Sequence, residues 1–223
     1  MKKLILLCLI SSFGIMANAQ VEIGTATNFT ETEGDGTIEF NGAATVWDDY
    51  VVPFASTKVK QFVDPPVWVS FIDEIYQYKF EDSKLEEVGM TIQMPHSWNG
   101  TAIHPHIHWS PEDDGAGDVI WAIEYTWVNY NSETQYVFPA AETLTATASV
   151  NGDSHKYLIA SFGPITPLTG SENPQDNVSS ILLIRLYRNG TSNDDTYAKG
   201  AFALSFDIHY EKNTVGSRQE YIK

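Results

Sequence analysis

Apolar and polar residues alternate with a period of two along most of this chain, and no stretch of a dozen residues holds the 3.6 period of a helix. Ile75–Phe80 sets Tyr76, Tyr78 and Phe80 on one face. Val119–Val128 sets Trp121, Ile123, Tyr125 and Trp127 on one face, with Glu124 between Ala122 and Thr126 on the other. Phe202–Glu211 sets Phe202, Leu204, Phe206, Ile208 and Tyr210 against Asp207, His209 and Glu211. Further strands are predicted at Thr37–Phe40, Lys58–Val63, Val67–Phe71, Val88–Met94, His104–Trp109, Tyr136–Phe138, Leu144–Val150, Lys156–Phe162 and Ile181–Arg188. Turn signals separate them, among them Asn41-Gly42, Asp64-Pro65-Pro66 and the run from Glu112 to Asp118. Phe80–Val88 is the one short segment whose pattern also admits a helix. Many short strands at such spacing predict an all-β, antiparallel β-sandwich of jelly-roll type, a single domain over residues 37–223.

The N-terminus follows a different rule. Lys2 and Lys3 precede an apolar run from Leu4 to Ile15, and Ala17-Asn18-Ala19 supplies small residues at a cleavage site. Residues 1–19 therefore read as a signal peptide, and the protein is expected to act outside the cytoplasm, in the periplasm, on the outer surface or in the medium. The apolar run is shorter than the roughly 20 residues that span a bilayer, so no membrane span is expected after cleavage. Residues 20–36, polar and rich in Gly and Thr, read as a flexible lead-in.

Removing that leader changes the chemistry available. Cys8 is the only cysteine, so the exported chain has no disulfide, no thiol nucleophile and no thiolate metal ligand. The formal charge of −16 becomes two units more negative without Lys2 and Lys3. A field of that sign repels nucleic acid and anionic membrane surfaces, and neither is an expected partner.

Half of the six histidines fall in His104-Pro105-His106-Ile107-His108-Trp109. In a strand, alternate residues share a face about 7 Å apart, so His104, His106 and His108 line one side and Ile107 and Trp109 the other. The faces carrying Glu124 and Asp207 with His209 complete a candidate set for a divalent transition metal: His104, His106, His108, Glu124, Asp207 and His209. Nitrogen and carboxylate ligands of this kind suit Zn, Mn, Fe or Ni. The same face can instead be a solvated polar ladder, with imidazoles bonded to Asp207, Glu124 or Arg185. His106-x-His108 with Glu124 is loosely similar to the first cupin motif. The spacing to Glu124 is longer than in cupins, and the second cupin motif is missing.

Two acidic turns offer oxygens to Ca²⁺: one holds Asp113, Asp114 and Asp118, the other Asn193, Asp194 and Asp195. Neither has the helical-hand spacing. Trp98, beside Asn99-Gly100, reads as the tryptophan most open to solvent and hence as a stacking platform for a sugar. No nucleophile elbow and no phosphate-binding loop is present in the sequence.

Several motifs share one further likeness. They are Trp47-Asp48-Asp49-Tyr50 with Pro53, Pro95-His96-Ser97-Trp98, His104-Pro105-His106-Ile107-His108-Trp109, Glu124-Tyr125-Thr126-Trp127, Arg185-Leu186-Tyr187-Arg188, Asp207-Ile208-His209-Tyr210 and Gly216-Ser217-Arg218-Gln219-Glu220-Tyr221. Together they resemble a family of uncharacterised β-structured proteins of tailed bacteriophages and prophages, often encoded beside virion genes. The likeness runs from about Trp47 to the C-terminus, and the export signal is a departure from it. It implies a non-enzymatic structural or surface-binding, adhesion-type domain, working as a homo-oligomer against a virion or surface protein or a cell-surface glycan. The residues leave two alternatives open. One is a carbohydrate-binding module using Trp98 and the acidic turns. The other is a cupin-like, metal-dependent enzyme with Glu124 or Asp207 as general base.

Overall fold

A computed structural model describes residues 21–60, 65–130, 137–152, 154–167 and 179–220. The signal peptide, the ends of two expected strands (Gln61–Val63 and Tyr136) and Tyr221 lie outside the described residues. Among the described residues, no helix is long and apolar enough to cross a membrane.

Among the described residues, fourteen strands form three antiparallel sheets. The first sheet is a meander of β1 (Val21–Thr25), β2 (Asn28–Thr32) and β3 (Ile38–Asn41). It is followed by β4 (Val46–Pro53), β5 (Lys58–Val59), β6 (Val67–Ile72), β7 (Ile75–Phe80) and β8 (Leu85–Gln93). The histidine strand is β9 (His104–Pro111), and β10 (Ala116–Val128), β11 (Glu142–Asn151) and β12 (Leu158–Ser161) come next. The last two are β13 (Ile181–Asn189) and β14 (Ala201–Lys212).

From β7 onward the chain passes back and forth between two sheets, except at the β10–β11 hairpin, which stays within one. One contains β12-β9-β14-β7-β6, with β4 also paired to β14; the other runs β11-β10-β13-β8-β5. The orders β7-β14-β9-β12 and β8-β13-β10-β11 within them are those of a jelly roll, so the expected fold class is the observed one.

Alternation explains the core. Trp121, Ile123 and Trp127 of β10 point inward, as do Ile107 and Trp109 of β9 and Phe206, Ile208 and Tyr210 of β14. Trp121 ties the sheets together. Its ring meets Phe80 at 5.2 Å and Trp109 at 6.0 Å, both edge-on, an arrangement aromatic quadrupoles favour.

The structure departs from the sequence-based expectation at several places, one of them the unassigned strand β4. Residues 21–32, within the supposed lead-in, are paired strands. All five residues of β1 are exposed, so no apolar alternation marks it. Phe80–Val88 is not helical: a turn joins β7 to β8 there. Val137 and Phe138 lie outside any strand. Phe202 does not share a face with Phe206, because a bulge in β14 between Ala203 and Ser205 shifts the register. Ala203 consequently sits opposite Trp109 in the core row, while Phe202 is buried on the outer side against Phe71 and His155.

A candidate metal centre on the outer face of the histidine sheet

The site follows from the register of three strands. On β9 and β14, His104 sits opposite His209 and His106 opposite Asp207. On the far side of β14, β4 sets Asp49 opposite His209 and Val51 opposite Asp207. Since Ile107, Trp109, Phe206 and Ile208 fill the core, these polar residues are forced onto the outer face together.

Asp207 is the hub. It is 3% exposed, yet it carries a carboxylate. His108 Nε2 lies 2.9 Å from its Oδ1, and His209 Nε2 lies 3.1 Å from its Oδ2. Asp49 Oδ1 also reaches His209 Nε2, at 3.2 Å. His108 Nδ1 is bonded to the Tyr157 hydroxyl, and the two rings stack. With Nε2–H donated to Asp207, Nδ1 is left to accept from Tyr157, so these two partners select one tautomer of His108.

His106 does not reach Asp207 by a hydrogen bond of this kind. Its ring lies 4.3 Å from that of His209, and its Nδ1 is sealed from solvent with no hydrogen bond. Burial lowers its pKa below the usual histidine value; the neighbouring His209 and His108 charges add to this, and Asp207 and a hydrogen bond with the His104 backbone oppose it. The neutral imidazole thus favoured is the form that binds metal. Candidate ligand atoms of His106, Asp207 and His209 all lie within 4.8 Å of one another. Two imidazoles and one carboxylate at that spacing can close on a single divalent ion and leave coordination positions open. A rim of exposed apolar side chains surrounds the cluster: Trp47, packed edge-on against His104, with Val51, Tyr157 and Ile159.

The six sequence candidates therefore separate. His106, Asp207 and His209 come together, and His108 orients Asp207 from the side. His104 lies on the same face but packs against Trp47. Glu124 is on the outer face of the other sheet, where Arg185 Nη1 donates to it at 2.8 Å. It shares no site with the histidines, because β10 belongs to the opposite layer. Sequence reasoning misses Asp49, Trp47 and Tyr157. The signal for two of them is the outward row Trp47-x-Asp49-x-Val51, on a strand that alternation alone leaves unassigned.

Trp98, Asp113 and Asp195 have structural partners. Trp98 is 3% exposed, not open: its ring packs on Trp127 and its Nε1 donates to Thr101 O at 3.1 Å. It offers no face to a sugar. The Asp195 side chain is buried and held by Arg188, with Nη2–Oδ1 at 2.7 Å and Nε–Oδ2 at 3.0 Å, and Ile120 N donates to Oδ2 as well. Asp113 accepts from Gly115 N and Tyr197 Oη. Burial, with Asp113 and Glu112 nearby, pushes the Tyr197 phenol up to about 12. Asp114 and Asp194 are exposed. Among the described residues, neither acidic turn gathers three carboxylate or imidazole groups at metal spacing.

The chain matches no protein-family model and no curated protein.

Proposed function

We propose that this protein is an exported β-sandwich whose working surface is the outer face of the histidine sheet, and that it binds a divalent transition metal there as a structural or surface-binding domain. The observation that carries this reading is the convergence of His106, Asp207 and His209, with Asp207 buried and His106 Nδ1 unpartnered. A carboxylate and a ring nitrogen withdrawn from water without full compensation are costly, and a cation between them removes that cost. A polar ladder without metal accounts for His108 and His209, which both reach Asp207, but leaves the sealed His106 Nδ1 without a role. The apolar rim of Trp47, Val51, Tyr157 and Ile159 suits a face that meets another surface. The signal-peptide pattern of residues 1–19 supports a place outside the cytoplasm, and the resemblance to uncharacterised virion-associated phage proteins supports a non-enzymatic role.

Titration calorimetry of untagged protein with Zn²⁺, Ni²⁺ and Mn²⁺, checked by elemental analysis, tests the reading. About one ion per chain is expected for at least one metal. His106→Ala and His209→Ala should each weaken binding by at least about tenfold, while His96→Ala, whose ring bonds Ser217 and Ser179 instead, should not. Binding that survives both site substitutions, or no binding at all, overturns it.

A further inference from the structure

Two of the sequence motifs play no part in the metal centre, and the fold brings them together. Pro95-His96-Ser97-Trp98 follows β8, and Gly216-Ser217-Arg218-Gln219 follows β14. The β8–β13 ladder ends with Gln93 opposite Ile181, and Met94 N donates to Ser180 O at 2.9 Å, so Ser179 arrives beside the residues that follow β8. The tail after β14 is tied to the same end. Asn99 N donates to Glu211 O at 2.9 Å, and Asn213 N to Ser97 O at 3.3 Å.

His96, Ser179 and Ser217 meet there, each half-buried. His96 Nδ1 lies 2.6 Å from Ser217 Oγ, and His96 Nε2 lies 3.2 Å from Ser179 Oγ. The last partner fixes the direction of these bonds. Ser217 Oγ donates its one proton to Gln219 O at 2.6 Å, and a carbonyl can only accept. Ser217 therefore accepts from His96, which places the ring proton on Nδ1. In the neutral ring Nε2 then carries the lone pair, and Ser179 donates to it. Ser179 is also held at φ 65°, a left-handed angle uncommon for residues other than glycine, which persists only where the surroundings impose it. A hydroxyl facing the lone pair of an imidazole whose other nitrogen is oriented by a third group has the arrangement of an activated nucleophile.

We propose that Ser179 is such a nucleophile and takes an acyl group from a carboxylic ester, with His96 as its base and Ser217 as the residue that positions the base. Ser179 Oγ bonds to the carbonyl carbon while its proton passes to His96 Nε2. The bond from that carbon to the alkoxy oxygen of the ester breaks, and the departing oxygen takes the proton from Nε2. The products are an acylated Ser179 and a free alcohol, with His96 neutral again. The step is a covalent attachment without turnover, so it adds to the surface role, and it uses none of the metal-centre residues.

Incubating the untagged exported chain with 4-nitrophenyl acetate in EDTA tests this. Nitrophenolate release of about one equivalent is expected, with the acetyl group mapped to Ser179 by peptide mass spectrometry. His96→Ala should slow acetylation of Ser179 by about a hundredfold or more. Ser217→Ala should slow it as well, while Ser217→Thr, which keeps the hydroxyl, should restore the wild-type rate. A bond that only holds the tail in place would not tie that hydroxyl to the rate. Acetyl groups on lysines alone, acetylation of Ser179 no faster than that of the exposed Ser154, or a rate unchanged by His96→Ala overturns the proposal. If His96→Ala alters the circular dichroism spectrum, the Ser217 pair decides: equal rates in Ser217→Ala and Ser217→Thr reject the proposal.

Discussion

The Asp207 carboxylate lies between two imidazoles, with His108 Nε2 at 2.9 Å from one oxygen and His209 Nε2 at 3.1 Å from the other. Both contacts follow from the β9–β14 register, which sets Asp207 opposite His106 with the other two histidines one step away along the same face. Asp207→Asn keeps the shape but cannot accept from both rings and ligate a cation. Loss of charge-assisted bonds at a buried site costs about 1.5–3 kcal/mol. Urea denaturation without metal should show that loss, and calorimetry should show no transition-metal binding. A variant as stable as the parent, with metal binding intact, would remove Asp207 from the centre of the site.

Arg188 is wholly buried together with the Asp195 carboxylate. Its guanidinium also donates to the carbonyls of Phe80, Tyr197 and Lys199, pinning the turn before β14 to β13 and β7. Breaking one side of a buried pair strands the other charge, at a cost of about 3–5 kcal/mol. Asp195→Asn should approach that figure in equilibrium unfolding. Arg188→Met together with Asp195→Leu should cost less than the sum of the single changes, because neither charge is then left behind. Additive losses would argue against direct coupling.

The alternation that makes the fold legible also hides part of the site. Trp121, Ile123, Phe206 and Ile208 announce their strands because one face is apolar. The same rule turns His104, His106 and His108 outward on the strength of their spacing alone. What alternation does not carry is which strand lies beside which. Glu124 and Asp207 look equivalent in the sequence, and only the jelly-roll order separates them into different layers. β4 escapes notice because its outward row mixes Trp47, Asp49 and Val51, and β1 because it buries nothing. Trp98 misleads because a neighbouring Asn-Gly pair marks a turn but says nothing of whether the ring folds back into the core.

Glu87 links stability to pH on the other sheet. Burial pushes its pKa up, but the hydrogen bonds and charges of Arg185 and Lys60 outweigh burial and hold it below the ordinary glutamate value. The folded state therefore binds this proton less readily than the unfolded state. The contribution is fully present above the unfolded value, about pH 4.3, and is lost as pH falls through the lower folded value. Glu87→Gln should melt below the wild type at neutral pH, and the gap should close on acidification past that range. A gap that stays constant down to the acid limit would mean the carboxylate charge contributes nothing.

Gly117 and Gly89 both interrupt long strands, yet they should respond oppositely to a methyl group. Gly117 has φ 148°, and a Cβ there would meet the Thr196 carbonyl and Tyr197 Cα at 2.7 Å, where β10 passes the turn that Arg188 anchors. Neither the backbone angle nor the contact can relax cheaply, so Gly117→Ala should destabilise by about 1–3 kcal/mol. Gly89 has no left-handed angle, and its nearest neighbour would be Lys58 O at 3.8 Å, an ordinary contact. There the lower chain entropy of alanine in the unfolded state should leave Gly89→Ala neutral or more stable by up to about 1 kcal/mol. Paired denaturation curves on the two variants read both signs. Equal losses would mean that strand interruption, rather than the close approach to Thr196, fixes the glycine at position 117.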